Sequence, residues 1–131
     1  MPDALYEDDK CHYLSGDPRF EPVPWGRHGA LRVTAEALEF EFDDEEVEKR
    51  LWPRSAIEEI YYEVVPQLVD GEGPFDFPAA CVVVRDPEGA FADGFHVRFQ
   101  FRNEYYARVF IKYACQTFGL QAADGSAGSC P

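Results

Sequence analysis

Cys11-His12, with His28 further along the same segment, is the one constellation in this chain whose residue types suit a metal ion. Zinc takes thiolate and imidazole ligands, and an irregular segment is able to gather them. A fourth ligand is not evident, and the opposing reading is a packed Cys11 beside an exposed His12, so no metal is assigned. The second group is the acidic run Asp43, Asp44, Glu45 and Glu46, followed by Glu48. Carboxylates hold hard cations, but a calcium loop interleaves its ligands with spacers and a turn glycine, which this tetrad lacks. The run suits docking of a basic partner better, because adjacent like charges create a local field. Glu39 and Glu41, on the outward face of the preceding strand, extend that field.

His96, Arg98, Gln100 and Arg102 alternate with Phe95, Val97, Phe99 and Phe101, so they share one face of a strand. They form either a ligand-facing stripe with Arg108 or, more simply, a solvated face whose arginines pair across the sheet with Glu39 or Glu41. Phe75, Phe77 and Phe91 lie in Pro- and Gly-rich stretches, where an aromatic anchors an interface or folds under its loop. Catalysis has little to stand on. There is no Gly-rich phosphate loop, no GxSxG elbow and no HExxH, and His12, His28 and His96 are the only histidines. Carboxylates are plentiful, but nothing positions a pair for acid and base work. The expectation is a protein that is not an enzyme, with no catalytic residue and no cofactor.

These residues need a scaffold, and the totals say what kind. At 131 residues, 46% hydrophobic and 15% aromatic, the chain suits one domain with its own core. The formal charge of −13 argues against nucleic acid and against stable association with anionic membranes, and favours basic proteins or peptides. Cys11, Cys81, Cys115 and Cys130 show no CxxC pairing. No secretory signal and no apolar run of roughly 20 residues is apparent, so a soluble cytoplasmic protein with reduced thiols is expected.

Residues 1–29 read as irregular, with only Cys11–Leu14 suggesting a short strand. From Ala30 the pattern becomes regular. Leu31 and Val33, then Leu38, Phe40 and Phe42, alternate with polar residues and predict two strands. Val47–Trp52 predicts a third, which Pro53 ends. Ile57–Val65 fits helix or strand by spacing, and its β-branched and aromatic content decides for strand. Residues 66–78 read as a long loop, 79–85 as a buried strand, Asp86-Pro87-Glu88-Gly89 as a turn and 94–102 as the last strand. Asn103 then caps a helix over 104–118, Glu104 complements its dipole, and Gly119 and Leu120 close it. Its apolar positions are Tyr106, Val109, Phe110, Tyr113, Ala114 and Thr117. Residues 121–131 read as a disordered tail.

Short strands followed by one C-terminal amphipathic helix resemble the pleckstrin-homology-like (PH-like) superfold, in its GRAM-like and bacterial forms. The resemblance lies in ALRVTAEALEFEF as an opening hairpin, RLWPRSAIEEI as the next strand pair, and FHVRFQFRNEYYARVFIKYA as the last strand and helix. It covers residues 30–120 and leaves out the segment 1–29 and the tail. It implies a mainly β (α+β) fold: an antiparallel barrel or sandwich of about six to seven strands, with the helix closing one end. Phosphoinositide-binding members carry bases beside the first hairpin loop, whereas here Arg32 and Arg54 stand beside Glu36.

The functional expectation is therefore a non-catalytic interaction module for a protein or peptide. Glu39, Glu41, Asp43, Asp44, Glu45 and Glu46 would steer a basic partner, and Trp52, Phe75 and Phe77 would supply apolar anchors. One alternative is a peripheral lipid-binding domain, which needs Arg32, Lys49, Arg50, Arg54 and Arg98 on one surface. The other is a small metal-dependent enzyme using Cys11, His12 and His28. Self-association through an open sheet edge stands beside these.

Overall fold

A computed structural model describes residues 5–16, 27–43, 46–85 and 94–120. Its strands are β1 (Tyr6–Ser15), β2 (Arg27–Val33), β3 (Ala37–Phe42), β4 (Arg50–Pro53), β5 (Ile57–Val69), β6 (Glu72–Val84) and β7 (Phe95–Gln100). A 3-10 turn, Arg54–Ala56, follows β4, and the helix α1 spans Glu104–Phe118. The strands form a seven-stranded sheet in the order β4-β3-β2-β1-β7-β6-β5. All neighbours are antiparallel, so two meanders meet along the β1–β7 ladder. The sheet curls into a half-barrel with α1 as its cap, the mainly β architecture expected from the sequence. It is one continuous sheet instead of two separate ones.

The first departure is β1. Where the sequence suggests an irregular segment, a ten-residue strand runs through the middle of the sheet between β2 and β7. Its alternation is hidden by a bulge: Asp8 faces Leu31, but Cys11 faces Gly29, so β1 holds one extra residue. Inward positions therefore switch from Tyr6 and Asp8 to Cys11 and Tyr13. Asp8 steadies the bulge by accepting the Lys10 amide at 2.9 Å, and its buried carboxylate lies 3.7 Å from Arg102 Nη2.

Inside the curl the rings interlock. Tyr13 stands 5.9 to 6.3 Å from Phe40, Phe42, Trp52 and Phe99, and Phe99 touches both Phe40 and Trp52. Gly29 makes this possible on β2, because a Cβ there would sit 2.7 Å from the Phe40 ring. Phe101 and Phe110, at 5.3 Å, carry the packing onto the helix.

The helix begins and ends as its sequence predicts. Asn103 is extended and its Oδ1 accepts the Tyr106 amide at 3.1 Å, while Gly119 is left-handed (φ 70°) and the Leu120 amide reaches the Cys115 carbonyl at 2.9 Å. Its buried face differs from the expected one: Ala107, Phe110, Ile111, Ala114, Cys115 and Phe118 are buried, while Tyr113 is exposed and Tyr106 only half-buried. Small residues let the helix approach the sheet, and tyrosines settle at its flank, where the hydroxyl stays wet. Tyr113 stacks there on Tyr6 at 5.5 Å. Among the described residues Cys11 and Cys81 are free, buried thiols.

The second departure is the predicted loop 66–78, which is β-hairpin. β5 and β6 pair from Ile57↔Val84 out to Val69↔Glu72. Asp70 (φ 53°) and Gly71 (φ 80°) form the two-residue turn, with the positive φ at both positions that a type I′ turn requires. β7, however, pairs with β6 only from Ala79 to Val84. Residues 64–78 thus form a two-stranded arm projecting past the sheet, which is where Pro66, Pro74 and Pro78 are tolerated.

Candidate functional site

Strand alternation dismantles the Cys11–His12–His28 constellation. Cys11 points into the core, fully buried, and His12 points out. Burial, with Asp8 beside it, holds the Cys11 thiol far above its ordinary range and so protonated. Among the described residues no group of three His, Cys, Asp or Glu side chains is arranged to hold an ion. His12 and His28 do meet, as cross-strand partners with ring centres 5.1 Å apart. His28 Nδ1 is hydrogen-bonded to Asp43 Oδ2. Burial, reinforced by neighbouring His28 and opposed by Asp43, lowers the His12 pKa.

The acidic surface on β3 is present but compensated. Glu39 pairs with Lys49 at 3.4 Å, Glu41 with Arg32 at 2.8 Å, and Asp43 with His28. Arg32 also donates to Glu7 at 2.5 Å. Glu46 is exposed, and Asp44 and Glu45 lie outside the described residues, as does Phe91. Trp52 corrects an expectation outright: it is fully buried among Tyr13 and Phe99, so it holds the core and offers no surface to a partner.

The stripe on β7 is solvated and paired, though not with the expected acids. Arg98 donates to Glu63 on β5 at 2.8 Å, reaching across β6, and Arg102 turns toward Asp8 and lies 3.5 Å over the Tyr106 ring. β7 neighbours β6 and β1, so Glu39 and Glu41 on β3 are out of reach. Cys81 Sγ approaches His96 Nδ1 at 3.7 Å, but burial pushes this thiol up, which leaves it protonated and a poor nucleophile. The bases a lipid surface needs are dispersed: Arg32, Lys49 and Arg98 each serve a glutamate, and Arg54 donates to the Ala35 carbonyl at 3.3 Å. Among the described residues no helix is long and apolar enough to cross a membrane.

The uncompensated surface lies on the arm and the strand leading to it. Residues 57–84 carry Glu58, Glu59, Glu63, Asp70, Glu72 and Asp76 and neither Lys nor Arg, and of these acids Glu63 is paired, with Arg98 on β7. Between these acids, Val64, Leu68 and Phe75 are 47%, 56% and 48% exposed. Phe77 is half-buried and lies across from Val65. β5 ends the sheet, and among the described residues no backbone hydrogen bond outside the β6 ladder reaches residues 58–69. Of the predicted binding residues the arm unites Phe75 and Phe77, while Glu39 and Glu41 sit on β3 and Asp43 just past its end. Val64, Leu68, Asp70, Glu72 and Asp76 escaped the sequence reading. The signal that reveals them is Asp70-Gly71, a strong hairpin turn dipeptide.

No protein-family model, no curated protein and no solved structure matches this chain.

Proposed function

We propose that this chain is a non-catalytic interaction module of PH-like architecture that binds a basic, partly apolar segment of a protein or peptide through the β5–β6 arm. The observation that carries this reading is the pairing of exposed Val64, Leu68 and Phe75 with acids that have no base on either strand. A two-stranded ribbon is only marginally stable by itself in water, and an apolar group left wet on it gains from being covered. The acids set which partner covers it, by attracting cationic side chains and repelling anionic ones. The free edge of β5 offers the same partner backbone donors and acceptors. The PH-like assignment draws on the meander order, the β1–β7 ladder and the C-terminal helix.

The test is an array of basic, extended peptides probed with the full chain and with a Leu68→Ser/Phe75→Ser variant. Binding by the wild type that falls at least about tenfold in the variant, worth about 1.4 kcal/mol, supports the reading. Equal binding by both forms moves the site off the arm. Binding by neither removes the basic peptide as ligand.

A further inference from the structure

On the other half of the sheet, away from the arm, three side chains come together on the outer face. His12 and His28 face each other across β1 and β2, and Asp43, just past the end of β3, holds His28 by its Nδ1. We propose that His12 and His28 form a two-histidine site for a divalent transition metal of the zinc class, with Asp43 as the residue that positions His28.

The geometry suits this chemistry. Two imidazoles bound through nitrogen to one tetrahedral zinc, with bonds of about 2 Å, stand with their ring centres about 5 Å apart. The two rings here are already 5.1 Å apart. A carboxylate at Nδ1 favours the tautomer that carries the proton there and donates it to Asp43, which leaves the Nε2 lone pair for a metal. Histidines that bind metals are commonly oriented in this way, with the second nitrogen bonded to a carboxylate. The site is open to solvent, since the His28 and Asp43 side chains are 40% and 65% exposed. Gln100 is the cross-strand partner of His12 on β7. With two protein nitrogens, the remaining coordination positions fall to water or to a donor from a partner. The site is therefore exchangeable, unlike a closed structural zinc centre.

The experiment is a calorimetric titration of the full chain with zinc chloride, run beside His12→Gln/His28→Gln and Asp43→Asn, with far-ultraviolet circular dichroism to establish that each variant is folded. All three side chains point outward, so folding is expected to survive. The proposal expects one zinc per wild-type chain, loss of that site in the double histidine variant, and about tenfold weaker binding in Asp43→Asn. Zinc binding that is equal in the wild type and the double variant overturns it, as does no zinc binding by the wild type. Full affinity in Asp43→Asn overturns the positioning role alone.

Discussion

The outer face of β1–β4 and the β5–β6 arm are both rich in carboxylates, yet they are built to opposite ends. On β3 each described acid has a cation within reach, Lys49 for Glu39 and Arg32 for Glu41, and Asp43 just past its end is hydrogen-bonded to His28. Beneath that face the aromatic cluster around Tyr13 is closed to water. On the arm the acids have no base on either strand, and apolar side chains stay wet. Local density of acid is therefore a poor guide to charge left uncompensated. The proposed surface rests instead on charge left over after cross-strand pairing, beside exposed apolar side chains.

Five variants break or sharpen that contrast. Trp52→Ala, on the closed side, is expected to cost about 3–5 kcal/mol of stability, as a large buried aromatic does, read by chemical denaturation. A loss below about 1 kcal/mol would mean that the core is less closed than its burial indicates. On the arm, Leu68→Ser/Phe75→Ser is expected to leave the denaturation midpoint nearly unchanged while binding of a basic peptide falls about tenfold or more. Unfolding of this variant would make the arm part of the core. Between these lies the helix cap: Asn103→Ala should destabilise by about 1 kcal/mol, with Asn103→Ser recovering most of it.

The smallest effects separate the two acidic faces by salt. Reversing Asp70, Glu72 and Asp76 to lysine should abolish the salt dependence of peptide association, since steering is the share of binding that screening removes. Glu39→Gln should change stability by no more than about 1 kcal/mol, the range of a partly exposed ion pair, and leave peptide binding alone. A binding loss in Glu39→Gln equal to that of the arm variants would restore the β3 acids as the site.

Elements with clean local patterns were legible in the chain. The alternation of Leu38, Phe40 and Phe42, and of Phe95, Val97 and Phe99, set two strands, and Asn103 and Gly119 set both ends of the helix. β1 was hidden because its bulge shifts the alternation midway, so that neither half is long enough to register. The arm was hidden because Pro66, Pro74 and Pro78 usually exclude a central strand, and only the end of β7 at Gln100 shows that those residues lie beyond its reach. The helix face was misjudged because Tyr106 and Tyr113 count as apolar in a pattern, while Ala107 and Ala114 are what close packing needs.

Two properties were determined by sequence alone: a mainly β chain with one C-terminal helix, and a formal charge of −13. Both follow from periodicity and composition, which are local or additive. Which acid is compensated, which aromatic is buried and which histidines meet were decided by tertiary structure. Lys49 reaches Glu39, Trp52 enters the core and His28 faces His12 through strand register alone. Register depends on irregularities such as the bulge in β1 and on where neighbouring strands end, and a reading of each segment by itself contains neither.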